Sequence, residues 1–236
     1  MIIPFHLEQV VLLALISGVL AVDERAGWQG LFAQPVVAGA LVGVIFGDFF
    51  AGVSVGVVLE LVWLSILPMR GMRRPDAVAG AIVGAGTAVL LARNTGDPRT
   101  LFIIALGALF GLIAGELAGS AGRRIHRVRE SQLGRFRVSD NAAVLERRLV
   151  GVFMASVGFT MAAEMLLVGV MLPLSLWGAE RLTAVAGDSV ITGARWWVDI
   201  APVLGAGALI QMYWLKQHNR YLVLSAAVVL MLLWIL

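Results

Sequence analysis

Three carboxyl side chains lie within the apolar stretch of residues 41–80 and are the first candidates for chemistry in this sequence. Asp48 follows a glycine-rich apolar segment, Glu60 comes twelve residues later in a second apolar run, and Asp76 follows a basic tract. A carboxylate at bilayer depth costs roughly 3 kcal/mol or more unless it meets a partner, a cavity or a proton. Carboxyl groups at such positions are therefore candidates for binding or transport.

Two of these carboxyl groups also have structural explanations. An alternative for Asp48 is that it only caps a helix at the membrane surface, as aspartate does at many helix starts. An alternative for Glu60 is that it forms an ion pair with an arginine, such as Arg70. The sequence leaves both alternatives open.

The composition indicates a multi-pass integral membrane protein. The chain has 236 residues, of which 60% are apolar, and its mean hydropathy is +0.91. Several apolar runs approach or exceed the roughly 20 residues that cross a bilayer as a helix. The arginines cluster in short segments between these runs, as the positive-inside rule requires, so the net charge of +3 does not indicate nucleic-acid binding. The first residues lack a basic region and a cleavage site, so we expect no removable signal peptide.

Cysteine and histidine usage excludes several kinds of site. The chain has no cysteine, which excludes disulfides, thiol catalysis and thiolate metal sites. Its histidines, His6, His126 and His218, share no ligand spacing, so we expect no histidine metal site. The sequence contains no phosphate-binding loop, dinucleotide fingerprint or catalytic triad pattern, and we expect neither a cofactor nor catalytic residues.

Glycines spaced four residues apart predict close helix packing around Asp48. Two apolar runs, residues 36–46 and 49–67, flank it with too few residues between them for a loop that crosses the membrane. Both runs carry glycines that leave a smooth strip for close backbone approach: Gly39, Gly43, Gly47, Gly52 and Gly56. We therefore predict a re-entrant or broken-helix hairpin near residues 41–67. Non-helical backbone at membrane depth survives only in a protein interior or a water-filled cavity, so the turn at residues 47–50 is predicted to line a binding cavity.

The rest of the chain is predicted to complete an all-α, polytopic helix bundle. Gly107, Gly111 and Gly115 form a second packing strip in a helix over residues 100–121. Further helices are predicted over residues 7–22, 77–91, 149–177, 199–215 and 221–236, and the span that begins at residue 149 is expected to end at Pro173. The last span has no charged flank, which predicts packing against a partner chain.

Residues 122–148 hold eight arginines and are predicted to be a cytoplasmic link. This link is expected to continue the preceding helix and to turn near residues 134–141. We treat residues 1–236 as a single membrane domain. Its substrate-site half is predicted at about residues 1–92, and its C-terminal helices at residues 149–236.

The residues around the three carboxyl groups resemble the enzyme IIC component of the mannose/fructose/sorbose family of the bacterial phosphoenolpyruvate-dependent phosphotransferase system (PTS). The matching motifs are LVGVIFGD ending at Asp48, the following Gly52, the LE pair ending at Glu60, and the PDA triplet around Asp76. The resemblance is strong over about residues 7–88 and becomes general beyond them.

This resemblance implies a sugar-conducting subunit in the bacterial inner membrane. The implied partners are a IID membrane subunit, the IIA and IIB phosphocarrier proteins, a sugar and membrane lipid, in a homo-oligomer of IIC–IID units. Phosphate would come from a histidine on IIB, so the chain itself is not expected to be an enzyme. The predicted substrate-binding residues are Glu60, Asp48, Asp76 and Gln9. A carboxylate accepts two sugar hydroxyls at once, which gives a physical reason for Glu60 at membrane depth.

One segment departs from the family pattern. Where relatives carry an asparagine- and glycine-containing segment after the glutamate, this chain has Pro68, Met69 and Arg70. Either the substrate differs, for example by carrying an acidic group, or the assembly serves regulation.

Two other functions stay open. The first is an ion-coupled secondary transporter in which Asp48, Glu60 and Glu164 carry protons or sodium ions. The second is a non-transporting membrane anchor for regulatory PTS phosphocarriers.

Overall fold

The described part of the chain is all-α, as predicted. The computed structural model describes residues 7–25, 31–63, 75–92, 100–133, 142–187, 189–193, 202–203 and 206–207. Six α-helices follow one another in these ranges, with a 3₁₀ turn at Leu31–Ala33 after the first. They are α1 (Leu7–Arg25), α2 (Pro35–Phe46), α3 (Phe49–Trp63), α4 (Ala77–Ala92), α5 (Thr100–Leu133) and α6 (Ala142–Val185).

The described helices differ in whether their length and composition suffice to span a bilayer. The segments Thr100–Arg123 of α5 and Leu149–Val185 of α6 are long and apolar enough to span a bilayer. Helices α2 and α3 have 12 and 15 residues. Their lengths are therefore about 18 and 22 Å, short of the roughly 30 Å hydrocarbon core. They pack as an antiparallel pair, which confirms the predicted hairpin over the described residues, and its re-entry into the membrane stays a prediction.

Glycines bring α2 and α3 into backbone contact. A Cβ on Gly39 would lie 2.5 Å from the carbonyl oxygen of Gly52, and a Cβ on Gly43 would lie 2.8 Å from that of Asp48. Neither position has room for a side chain, so the predicted packing strip is confirmed at Gly39 and Gly43. The third glycine of the predicted strip, Gly47, has a different role. Its φ of 79° is left-handed, and it ends α2 and lets the chain reverse.

Helix α4 forms the centre of the bundle. Every residue from Val78 to Leu91 is buried, and α2, α3, α5 and α6 all pack against this helix. The contact with α5 again runs along glycines, because a Cβ on Gly84 would lie 2.8 Å from the Gly107 carbonyl oxygen, and a Cβ on Gly111 would lie 2.7 Å from that of Gly80. The second predicted packing strip is thus confirmed.

A hydroxyl pair joins α4 to α6. The Thr87 and Ser175 side-chain oxygens are 2.7 Å apart, and both residues are buried. Each hydroxyl also lies within hydrogen-bond distance of a carbonyl in its own helix. All buried polar atoms of this pair therefore have partners inside the bundle, as the low-polarity interior requires.

Helix α6 contradicts one prediction. We expected this span to end at Pro173, but α6 continues through that residue to Val185. Proline lacks the N–H that would bond to the carbonyl of Gly169 one turn earlier. Membrane helices tolerate such an interruption because neighbouring helices and polar side chains satisfy the freed groups.

The arginine-rich link is a continuation of helical structure on both sides, as predicted. Helix α5 extends past Arg123 to Leu133, and α6 begins at Ala142. Several predictions lie outside the described residues. These are the turn at residues 134–141, the basic loop that contains Pro68, Met69 and Arg70, and most of the two predicted C-terminal spans at residues 199–215 and 221–236.

The charge pattern makes the orientation of α6 testable. Glu146 and Val185 are both exposed, lie near opposite ends of α6, and are separated by about 58 Å of helix. Single cysteines at these positions of the cysteine-free chain should react with a membrane-impermeant maleimide from opposite sides, with Glu146→Cys labelled from the cytoplasm. Labelling of both from the same side would refute the orientation, and the parent chain serves as the unlabelled control.

The glycine contacts predict a second measurable result. Gly43→Ala and Gly111→Ala should each lower the free energy of unfolding by about 1 to 3 kcal/mol, because the new methyl groups overlap backbone atoms of the facing helix. Gly169→Ala in α6 is the matched control, since a Cβ there meets nothing within 4 Å. Thermal unfolding of the purified chain checks this. Equal melting temperatures for all three variants would mean that the glycine strips do not hold the helices together.

Candidate functional site

The turn end of the α2–α3 hairpin is built by Gly47 and Asp48. The backbone N–H of Asp48 donates to the Gly43 carbonyl at 2.9 Å, which closes the end of α2. The Asp48 side chain then accepts a hydrogen bond from the N–H of Ala51 through Oδ1, at 3.0 Å. Asp48 is therefore the N-cap of α3, and its further role as a substrate ligand stays a prediction.

The open end of the hairpin brings Glu60 to the first turn of α2. A backbone hydrogen bond from Val36 reaches the Glu60 carboxyl group. This approach requires a glycine one turn earlier in α3, because a Cβ on Gly56 would lie 2.5 Å from the carbonyl oxygen of Pro35. The N–H groups of a first helical turn have no partner within their own helix, and the helix dipole there favours a negative charge by about 0.3 to 1 kcal/mol. The Glu60 carboxyl group of α3 thus accepts a hydrogen bond from the first turn of α2.

One carboxyl oxygen of Glu60 has an unsatisfied capacity to accept hydrogen bonds from the described residues. Oε2 is buried and has no hydrogen-bond partner within the described part of the chain. Arg70, the proposed ion-pair partner in the structural alternative, lies outside the described residues. The described geometry therefore presents a buried acceptor whose carboxyl group is already held on one side by a helix N-terminus.

Asp76 lies at the same end of the bundle. Its side chain is 2% exposed, and Oδ1 accepts a hydrogen bond from the N–H of Ala79 at 3.1 Å, so Asp76 caps α4. Its own N–H donates to the carbonyl of Gly115 in α5 at 2.8 Å. Asp76 thus fixes the start of α4 against α5, close to the arginine-rich end of α5.

The structure separates the remaining predicted ligands from Glu60. Asp48 is twelve residues away along α3, which is about 18 Å in a helix and much longer than one hexose. Gln9 is half-buried in the first turn of α1, a helix that packs mainly against α6. Glu164, from the ion-coupled alternative, is 3% exposed on α6. The predicted residues therefore do not form one cluster, and Glu60 and Asp76 are the pair that share an end.

Sequence reasoning missed two parts of this site. The first is the backbone N–H of Val36, which Pro35 at the preceding position could have signalled because proline favours the first helical turn. The second is Trp63, one turn after Glu60, whose ring packs against glycines of α4 and α5. Pro35 indicates where α2 begins, but residue spacing in the sequence does not show that Glu60 contacts this turn or that Trp63 contacts α4 and α5. Each contact depends on which helices become neighbours.

An apolar cleft on α5 does not suit a sugar. It has a volume of about 400 Å³ and lies between α5 and residues 190–193. The described residues that line it carry no charged or amide side chain, and they are Phe102, Ala105, Leu106, Ala108, Leu109, Leu112, Val190 and Gly193. A hexose needs polar groups to replace its bound water, and the described lining of this cleft offers none.

Comparison with known proteins finds similarity to a protein family, to a curated relative and to a solved structure. A family model described as the PTS system sorbose-specific IIC component matches residues 7–234. The putative N-acetylgalactosamine permease IIC component 2 of Escherichia coli is 36% identical over 83 residues, which are 35% of this chain and 62% of that relative, so the match spans less than two thirds of the relative's length. A solved structure of a membrane protein aligns with a TM-score of 0.58 and 19% identity, and covers 90% of this chain and 81% of that chain. At this identity the structural likeness concerns the fold.

The capping role of Asp48 predicts that its alanine and asparagine variants differ in stability. Asp48→Ala should destabilise the chain by about 1 kcal/mol, whereas Asp48→Asn keeps an acceptor oxygen for the Ala51 N–H and should melt close to the parent. Melting temperatures of the two variants test this. The capping role would be contradicted if Asn and Ala lowered sugar binding equally while both melted like the parent, since that is the behaviour of a substrate ligand.

Proposed function

We propose that this chain, which belongs to the family of PTS sorbose-specific IIC components, is the sugar-conducting membrane subunit of a mannose/fructose/sorbose-type permease. In this proposal the chain binds a hexose at membrane depth and passes it toward the cytoplasm for phosphorylation. The chain is a transport subunit and not an enzyme, and the phosphoryl group comes from a histidine of the IIB protein. The name of the E. coli relative adds N-acetylgalactosamine to the candidate sugars.

The proposed assembly contains further proteins. A IID membrane subunit pairs with this chain, IIA and IIB bring the phosphoryl group, and IIC–IID units associate into a homo-oligomer in the inner membrane. The apolar surface of α6 supports a partner in the membrane, because large side chains such as Phe153, Met154 and Leu166 are more than half exposed within the chain. The arginine-rich end of α5 supports a cytoplasmic face at the Glu60 end.

The observation that carries the proposal is the geometry at Glu60. Its carboxyl group is held by the N-terminus of α2 on one side, and its Oε2 is buried without a hydrogen-bond partner among the described residues. A neutral sugar offers several hydroxyl donors, and hydrogen bonds to an ionised acceptor are the stronger kind. Because the hairpin opens toward the arginine-rich side, a sugar held there would be accessible to a cytoplasmic phosphocarrier.

The other predicted ligands differ in their distance from the proposed sugar site. Asp76 lies at the same end as Glu60 and stays within the proposed site. Asp48 is about 18 Å away along α3 and Gln9 is on α1, so these two would contact the sugar only at another stage of its passage.

Vesicle uptake separates the proposal from its alternatives. Vesicles that contain this chain and its IID partner, loaded with IIA, IIB and phosphoenolpyruvate, should accumulate phosphorylated forms of one or more labelled sugars from a panel of sorbose, mannose, fructose and N-acetylgalactosamine. Uptake that instead follows an ion gradient without phosphoenolpyruvate would identify a secondary transporter. Binding of IIB without uptake of any sugar would identify a regulatory anchor.

The site itself is tested by Glu60→Gln. The amide keeps the shape and still accepts the Val36 hydrogen bond, but it weakens the bonds to sugar hydroxyls by about 1.5 to 3 kcal/mol, which is roughly ten- to a hundred-fold in affinity. Loss of a buried charge also removes its desolvation cost, so the melting temperature should not fall. Sugar binding and melting are measured on the same purified complex. Unchanged binding with a lower melting temperature would show that Glu60 only supports α2.

A further inference from the structure

Trp63 inserts its indole ring into a slot formed by glycines of two other helices. A Cβ on Gly115 of α5 would lie 2.8 Å from both Cη2 and Cζ2 of Trp63, and a Cβ on Gly80 of α4 would overlap Cη2. The far edge of the ring therefore occupies the space that side chains at these two positions would need. Asp76, whose N–H is bonded to the Gly115 carbonyl, fixes the distance between the two walls of this slot.

The slot lies one helical turn from Glu60. Residues three apart are neighbours on a helix surface, so Trp63 and Glu60 share the last turn of α3. This turn is held at two points: Trp63 packs into α4 and α5, and Glu60 meets the Val36 N–H at the start of α2. A shift of Trp63 within its slot would therefore move Glu60 relative to α2.

We propose that Trp63 is a positioning residue, and that its packing between Gly80 and Gly115 sets where the Glu60 carboxyl group stands. The consequence for sugar affinity rests on the function proposed above, whereas the position of Glu60 does not. Ring size is the property that matters. A phenyl ring is shorter than an indole and leaves the far edge of the slot empty, and a methyl group at residue 115 occupies that edge.

This size relation predicts that two damaging substitutions compensate each other. Trp63→Phe leaves a void, and Gly115→Ala pushes the indole out, so each alone should displace Glu60. The double variant Trp63→Phe/Gly115→Ala fills the slot again and should recover most of the parent behaviour. Contacting residues commonly show such non-additivity, while independent sites do not.

The direct measurement is chemical modification of Glu60 in the full chain. Dicyclohexylcarbodiimide enters the membrane and reacts with protonated carboxyl groups, and mass spectrometry gives the modified fraction of Glu60 over time. A carboxyl group released from the Val36 N–H should react faster, by about ten-fold in Trp63→Phe and in Gly115→Ala, and at close to the parent rate in the double variant. Sugar dissociation constants, measured on the same samples with the panel above, should rise about ten-fold in the single variants and recover in the double.

Two control variants test whether loss of any tryptophan, or an added methyl group on any helix, changes the modification rate of Glu60. Trp177→Ala deletes an exposed tryptophan of α6, and Gly169→Ala adds a methyl group where nothing lies within 4 Å. Both should leave the Glu60 modification rate unchanged. The inference is overturned if the single variants melt lower but modify Glu60 at the parent rate, or if the double variant is as impaired as the sum of the singles. If the parent binds none of the sugars while the modification rates follow the predicted pattern, the proposed function fails and the positioning role of Trp63 stands.

Discussion

Backbone contact between helices is the constraint on which this fold depends. In a bilayer the apolar surroundings give helices little reason to associate, so close van der Waals contact must supply the attraction. The α2–α3 and α4–α5 pairs achieve it at positions without side chains, where a single methyl group would overlap a carbonyl oxygen of the facing helix. The hairpin can be short and yet rigid because its two backbones touch. The central position of α4 follows from the same contacts.

The polar chemistry of the chain is concentrated at helix ends for a related reason. Helix starts carry N–H groups without a partner in their own helix, and in a membrane interior water cannot satisfy them. Asp48 and Asp76 each cap the helix that follows them. Glu60 differs, since its carboxyl group accepts a hydrogen bond from the start of another helix, α2. Its Oε2 has no hydrogen-bond partner among the described residues. A group that is structurally required and still has hydrogen-bonding capacity is well placed for recognition of a polar solute.

Local features of the fold could be predicted from the sequence, and long-range ones could not. The four-residue spacing of Gly39 and Gly43 and the short separation of the two apolar runs predicted the hairpin, because both are properties of neighbouring residues. The distance between Asp48 and Glu60 follows from helical structure, but the slot around Trp63 depends on which helices pair. Pro173 misled the prediction of a helix end, because proline ends helices in water more readily than within a bundle, where neighbours compensate for the lost hydrogen bond.

The proline within α6 also has a mechanical consequence. One hydrogen bond is missing from the backbone ladder between Gly169 and Pro173, so the bending stiffness of α6 is lowest there. On the N-terminal side of this point α6 packs on α1, and on the other side Ser175 is bonded to Thr87 of α4. The elastic weak point thus lies between the contacts of Met161 and Met165 with α1 and the hydrogen bond of Ser175 to α4. A tilt of the segment that packs on α1 can therefore be absorbed at Pro173 before it reaches the segment fastened to α4.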